Sequence, residues 1–189
     1  MKRILLCLLC LILCACQAQT NTTTTQKKAC DASSVEEECD TQTTSSASFT
    51  EISFDDAILY FTDKKSGILY FGFESCPWCK EAKPVLKKVA KELGVDVFYV
   101  KTRDEDKNRL YSDDQKEQIQ PYIQDYMSNN DEGVLTLYVP LVLAVQDGQA
   151  IDGHEGTLDS HDATERKMTT KEKEKLTKIY TEILKSYQK

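Results

Sequence analysis

The sequence predicts an α/β domain with a central mixed sheet flanked by helices. Three observations carry this. Residues 68–73 (Ile-Leu-Tyr-Phe-Gly-Phe) form an apolar and aromatic run without polar alternation, which suits a strand buried on both faces. A helical stripe (Ala82, Val85, Leu86, Val89, Ala90, Leu93) follows and leads into a second such run, Val95 to Val100, so strand, helix and strand imply a right-handed crossover and a parallel pair. Further on, Leu141 to Val145, Asp147-Gly148 and Gln149 to Ile151 give a hairpin signal, the antiparallel half of the sheet.

Taken in order, the compact part begins near Phe49. Ser53 followed by Asp56 is a helix-start signature, and Phe54, Ala57, Ile58 and Phe61 recur at helical spacing, predicting a first helix from Phe54 to Lys65 with Gly67 in the left-handed C-terminal position. The second helix follows the first buried strand and closes at Gly94; Pro84 inside it predicts a kink. From Thr102 to Gly133 the chain is charged and largely helical in character. Ile119, Tyr122, Ile123 and Tyr126 give it one apolar face around Pro121, which predicts one broken helix or two short ones. Leu135 to Tyr138 leads to Val139-Pro140 and the hairpin. Thr169 and Glu172 form a capping box ahead of Leu176, Ile179, Tyr180, Ile183, Leu184 and Tyr187, a terminal amphipathic helix that packs on the sheet. Neither an internal repeat nor a Gly-rich phosphate loop is apparent.

The 189 residues allow one such domain plus a tail. With 24 Lys+Arg against 31 Asp+Glu the chain carries a formal charge of −7, which argues against nucleic acid as a partner, since phosphate-backbone binding needs a basic face. Residues 1–15 read as a signal peptide: Lys2 and Arg3 are a basic start, and Ile4 to Leu13 are apolar but short for a membrane span. Leu13-Cys14-Ala15-Cys16 resembles the lipobox of bacterial lipoproteins. That resemblance makes Cys16 the lipidated residue and the membrane anchor, on the extracytoplasmic face; an ordinary secretory signal is the competing reading. Cleavage before Cys16 removes Lys2 and Arg3 and leaves 22 basic residues against 31 acidic, so charge would not hold the chain to an anionic membrane. Residues 16–48 are rich in Thr, Ser, Gln and Glu with almost no large apolar residues, and read as a disordered tether. Within it, Cys30 and Cys39 bracket Glu36-Glu37-Glu38. They are candidates for a second disulfide, structural or exchanging, although nothing near them in sequence would activate a thiol. Residues 49–189 form the domain.

The chemistry sits at the end of the first buried strand. Cys76-Pro77-Trp78-Cys79 places two thiols at a helix start, where unsatisfied backbone N–H groups and the positive end of the dipole stabilise a thiolate. Cys76 is then the nucleophile and Cys79 the resolving thiol. Pro77 suits the first helical turn, and Trp78 offers a flat apolar surface beside the sulfurs. The competing reading is half of a zinc site completed by Cys30 and Cys39; a buried strand before the pair and an amphipathic helix after it favour the redox motif. His154 and His161 lie in an acidic stretch that matches no metal-ligand spacing and reads as a solvated loop.

Phe73-Glu74-Ser75-Cys76-Pro77-Trp78-Cys79, with Pro84 five residues on and Val139-Pro140 before a hairpin, resembles the thioredoxin superfamily over about Phe54 to the C-terminus. The resemblance implies a thioredoxin-like fold with a helical insertion before the cis-proline. It makes Cys76 and Cys79 the redox pair, Pro84 the proline of the active-site helix, and Pro140 the cis-proline facing the cysteines. The Val139 backbone would pair with an extended substrate. With the lipobox and tether, the motif looks most similar to bacteriocin transport accessory proteins and related extracytoplasmic thioredoxins of Gram-positive bacteria. The chain departs from thioredoxin in three ways: Tyr70 stands where a buried Asp would accept the resolving thiol's proton, the dipeptide is Pro-Trp, and the segment before Pro140 is longer. Glu74 is a candidate replacement acceptor acting through water; its other reading is a solvated surface acid.

These features imply a thiol–disulfide oxidoreductase that needs no prosthetic group, because the cysteines carry the electrons. Its substrates would be exported cysteine-containing proteins or peptides, and a separate redox partner would recharge it. The direction is open: a Pro-containing dipeptide and Val before the cis-proline resemble oxidising members, yet tethered reductases share the compartment. The alternatives are a non-catalytic thioredoxin-like binding module assisting a peptide or bacteriocin exporter, and a structural zinc lipoprotein.

Overall fold

A computed structural model describes residues 47–188. Its elements in chain order are β1 (Phe49–Ile52), α1 (Phe54–Thr62), β2 (Gly67–Gly72), α2 (Pro77–Leu93), β3 (Val97–Lys101), α3 (Asp113–Ile123) with a 3-10 turn (Gln124–Tyr126), β4 (Ser128–Asn129), β5 (Leu135–Thr136), β6 (Leu141–Gln146), β7 (Gln149–Glu155) and α4 (Thr170–Tyr187). Five strands form one sheet in the order β1-β3-β2-β6-β7, and β4 pairs with β5 in a separate two-stranded ribbon. β1 and β2 run parallel to β3, while β6 is antiparallel to both β2 and β7. This is a thioredoxin-like α/β fold, with α3 and the β4–β5 ribbon inserted before the cis Val139–Pro140 bond.

Side-chain alternation along the central strands divides the interior into two cores. Ile68 and Tyr70 of β2, Tyr99 of β3 and Val142 and Ala144 of β6 face α2 and α4, where Leu86, Val89, Leu176, Tyr180 and Leu184 cover them. Leu69, Phe71, Val100, Leu143 and Val145 face the other way, onto Phe54, Ala57, Ile58 and Phe61 of α1 and Ile119 and Ile123 of α3. Every residue of β2 is buried, which explains why its sequence lacks polar alternation.

Several boundaries differ from the sequence reading, each for an identifiable reason. β1 has no strand signal of its own: it is four residues long with Thr50 and Glu51 at exposed positions, and its pairing with β3 is what makes it a strand. Asp96 Oδ1 accepts from the Ser48 N–H (2.6 Å), and the Val97 N–H donates to the Ser48 carbonyl (2.9 Å), pinning its start. The predicted capping box is present: the Asp56 N–H donates to Ser53 Oγ and the Ser53 N–H to Asp56 Oδ2. Yet α1 ends at Thr62 rather than Lys65, and Lys64, not Gly67, takes the left-handed conformation (φ 55°). Gly67 opens β2, where a Cβ would stand 2.7 Å from Tyr60 Cε1, so its smallness serves packing. Gly94 does close α2 in the left-handed region (φ 65°), and Thr169 and Glu172 cap α4 reciprocally. In the β6–β7 turn Asp147 (φ 50°) and Gly148 (φ 78°) both have positive φ, the signature of a two-residue hairpin turn.

The stretch carrying the two histidines, the end of β7 with His154 and the following loop with His161, is not solvated as expected. His161 is 5% exposed, with Nδ1 2.8 Å from Thr157 Oγ1 and Nε2 3.0 Å from the Arg166 carbonyl oxygen. His154 sets its ring edgewise against Tyr180 and its Nε2 2.6 Å from the Thr157 carbonyl. Arg166 in turn forks onto Glu172, giving two bonds of 2.8 Å, and thereby ties the loop to the start of α4. Composition alone could not show this, because Asp159 and Asp162 are exposed while His161 between them is buried.

Candidate active site

β2 delivers the chain to the site, and the turn Phe73-Glu74-Ser75 redirects it into α2. Cys76 is the N-cap of that helix, with its sulfur accepting from the Cys79 N–H at 3.2 Å. A side chain acting as helix cap lies against orphan backbone donors and the positive end of the dipole, and Pro77 at the first position has no N–H to leave unsatisfied. Both thiols are free and buried, 3% and 2% exposed. The Cys76 thiol is lowered from its ordinary 9.0 to about 7, chiefly by the hydrogen bond from the Cys79 side chain. The backbone N–H groups of Cys79 and Trp78 and the charge of Lys80 add to this, and burial opposes it. Cys79 is pushed strongly upward by its bond to Cys76, by burial and by the Cys76 charge. The pair is thus asymmetric: the Cys76 thiol is the more readily ionised of the two, and Cys79 holds its proton.

Across from the helix, the Val139 carbonyl oxygen lies 3.7 Å from Cys76 Sγ, and the Val139–Pro140 bond is cis. The Pro140 carbonyl accepts from the Gly156 N–H (2.7 Å), which joins this segment to the end of β7. Between the two walls runs a groove of about 660 Å³ in which Cys76, Pro77 and Trp78 form one side and Leu137, Tyr138 and Val139 another. The structure therefore brings Cys76, Cys79, Trp78, Val139 and Pro140 to one place.

Glu74 makes no hydrogen bond to either thiol. Its carboxylate is exposed and accepts from Lys83 Nζ, which also holds it below the usual carboxylate range. Lys83 caps the ring of Tyr99, 4.2 Å from its centroid. The interior neighbour of Cys79 is Tyr70. Its hydroxyl is buried without a hydrogen-bond partner, and burial first, then the nearby Cys79, push its ionisation well above the ordinary range. Tyr180, wholly buried on α4, likewise has an unpartnered hydroxyl that senses Cys79. Nothing in the sequence around residue 180 links it to a site in α2. The groove's far wall, formed by Arg103, Arg109, Tyr111 and Lys116, was equally invisible, because these residues meet the cysteines only through the fold.

Cys16, Cys30 and Cys39 lie outside the described residues, as do the residues read as a signal peptide and nearly all of those read as a tether. Among the described residues no group of three or more His, Cys, Asp and Glu side chains is placed to hold a metal, and no helix is long and apolar enough to cross a membrane.

No family model and no curated protein matches the sequence. Among solved structures the chain is similar to a thioredoxin of Malassezia sympodialis (19% identity over 71% of this chain and 95% of that one, TM-score 0.37). It is also similar to an N21Q mutant thioredoxin from Halobacterium salinarum (15%, 79% and 96%, TM-score 0.38). A third is the thioredoxin of Fasciola hepatica (19%, 69% and 98%, TM-score 0.36).

Proposed function

We propose that the protein is a thiol–disulfide oxidoreductase, lipid-anchored through Cys16 on the extracytoplasmic face of a bacterial membrane. It would act on exported cysteine-containing proteins or peptides, as in the bacteriocin transport accessory proteins its motif resembles. The observation that carries this reading is the asymmetry of the pair. Cys76, capping α2 and bonded by the Cys79 N–H, has a thiol lowered to about 7 and opens onto a groove beside the Val139 backbone, whereas Cys79 behind it keeps its proton.

The reaction follows from exchange chemistry. The Cys76 thiolate attacks one sulfur of a substrate disulfide; that S–S bond breaks, a mixed disulfide forms, and the departing substrate sulfur takes up a proton. Cys79 gives up its proton and displaces the remaining substrate sulfur from Cys76, closing the Cys76–Cys79 disulfide. Two electrons and two protons pass to the substrate; run backwards, the same steps donate a disulfide. The Val139 N–H, which makes no hydrogen bond among the described residues, is available to pair with an extended substrate chain.

The test is the reduction potential of Cys76/Cys79 in the full-length protein, with and without Cys30→Ser and Cys39→Ser, equilibrated against glutathione. A value of about −120 to −180 mV marks a disulfide donor or isomerase, and one of about −270 mV a reductase that needs an electron supply. Absence of any reversible couple refutes the catalytic reading and leaves the binding module.

A further inference from the structure

The wall of the groove contributed by the insertion is sorted by charge. Between residues 102 and 138 the chain has four basic and nine acidic residues; three of the basic ones (Arg103, Arg109 and Lys116) line the groove and none of the acidic ones does. In a chain of net charge −7 this runs against the overall balance. Packing holds the three cations in place. Arg103 lies over the Phe73 ring (5.8 Å to its centroid) and donates from Nη1 to the Lys107 carbonyl, while Arg109 lies over Tyr111 (5.2 Å). Lys116 donates to the Leu135 carbonyl (2.6 Å), across to the segment that leads to Val139. An antiparallel bridge joins residues 103 and 109. Arg109 is paired with Asp113, but among the described residues Arg103 and Lys116 meet no carboxylate within ion-pair distance, so their charge is available to a ligand. The one carboxyl lining the groove, Glu155, has its Oε1 occupied by Ser128 (2.8 Å) and its Oε2 buried.

We infer that the groove selects, around the substrate cysteine, an extended acidic segment whose carboxylates reach Arg103 and Lys116 while its backbone lies along Val139. The inference rests on the exchange reaction proposed above and adds the substrate class. An arginine fixed over an aromatic ring loses little freedom on forming a further charge-assisted bond, and Trp78 and Tyr138 supply apolar contact between the charges. Net charge alone would rank substrates the other way, drawing basic peptides to an acidic protein.

The experiment compares three disulfide-bridged peptides of one scaffold that differ only in whether the positions flanking one cysteine are Glu, Gln or Lys. Reduced full-length protein is mixed with each in single turnover, at low salt and in 0.5 M salt on the order of a 4 Å Debye length, with neutral hydroxyethyl disulfide as reference. The expected result is a rate constant about fivefold higher for Glu than for Gln and lowest for Lys, about what two exposed or half-buried charge pairs supply, shrinking at high salt. Arg103→Gln with Lys116→Gln should remove the Glu preference, and Arg103→Glu should move the order toward Lys. Near-UV circular dichroism shows whether each variant is folded, and the wild-type comparison stands without them. Equal rates for the three peptides, or a faster Lys peptide, with hydroxyethyl disulfide still exchanged, overturn the charge selection and leave the exchange reaction standing. No exchange with any of the four disulfides overturns the exchange reaction and the selection with it.

Discussion

Replacing Cys79 by alanine removes the hydrogen bond that contributes most to stabilising the Cys76 thiolate, while leaving the backbone N–H groups of Trp78 and residue 79 and the Lys80 charge in place. In the native pair the Cys76 thiol is lowered from 9.0 to about 7, equivalent to about 3 kcal/mol of preference for the thiolate. At pH 7 that makes about half of the sulfur thiolate, against about 1% for an unperturbed thiol. With the largest contribution gone and burial still opposing ionisation, the midpoint should rise to about 8, where about one tenth is thiolate at pH 7. The assay is alkylation by iodoacetamide from pH 5 to 10, followed by mass spectrometry of the Cys76 peptide so that other cysteines do not interfere. The high-pH plateau should rise by about threefold, because a more basic thiolate is the better nucleophile. A second readout follows from linkage. A thiol whose ionisation is depressed by folding stabilises the reduced native state fully above its unfolded value and loses that stabilisation as pH falls through its folded one. The reduced protein should therefore grow more resistant to urea between about pH 7 and pH 9, and Cys79→Ala should flatten that slope. A midpoint that stays near 7 in the variant would refute the assignment and place the stabilisation in the backbone donors and the Lys80 charge. A wild-type midpoint near 9 would deny an activated thiolate altogether.

Three further outcomes are expected. Tyr70→Phe removes a buried hydroxyl that has no partner, so stability should hold or rise by up to about 1 kcal/mol in urea titration, while the mixed disulfide on Cys76 should last longer because the group beside Cys79 is gone; a clear loss of stability would show that the hydroxyl is satisfied in solution. Glu172→Gln breaks the fork from Arg166 and weakens the α4 cap, lowering Tm. Since Arg166 first and then Thr169 hold this carboxyl far below its ordinary 4.5, its contribution is complete above the unfolded value and is lost as pH falls below it, so the variant should show a shallower acid-side decline in thermal scans. His161→Ala strands the buried Thr157 Oγ1 and takes the imidazole partner from the Arg166 carbonyl, and should cost about 1–3 kcal/mol, read as a Tm drop of roughly 3–10 °C, with thiol alkylation unchanged; an unaltered Tm would return His161 to the solvent.

Much of the architecture was legible because local chemistry and global fold agree at those positions. The unbroken apolar run of β2 could only be a strand covered on both faces, Asp147-Gly148 could supply the two positive φ values of the hairpin, and Thr169 with Glu172 could cap α4. β1 escaped because four residues carry too little pattern, and the end of α1 was misplaced because a lysine rather than the nearby glycine accepted the left-handed turn. The histidine-bearing stretch misled because composition reports which residues are present and not which way they point.

The same division holds at the site. By itself the sequence determined that two cysteines would stand one helical turn apart at a strand end, because spacing and helix polarity are local properties. Tertiary structure decided what surrounds them. Val139 came to lie 3.7 Å from a sulfur 63 residues away, the buried Tyr70 and Tyr180 came near enough to Cys79 to sense its charge, and Arg103 and Lys116 were sorted onto one wall of the groove. These juxtapositions depend on strand order and on how an insertion folds back over the sheet, and no residue's immediate neighbours in the chain record either.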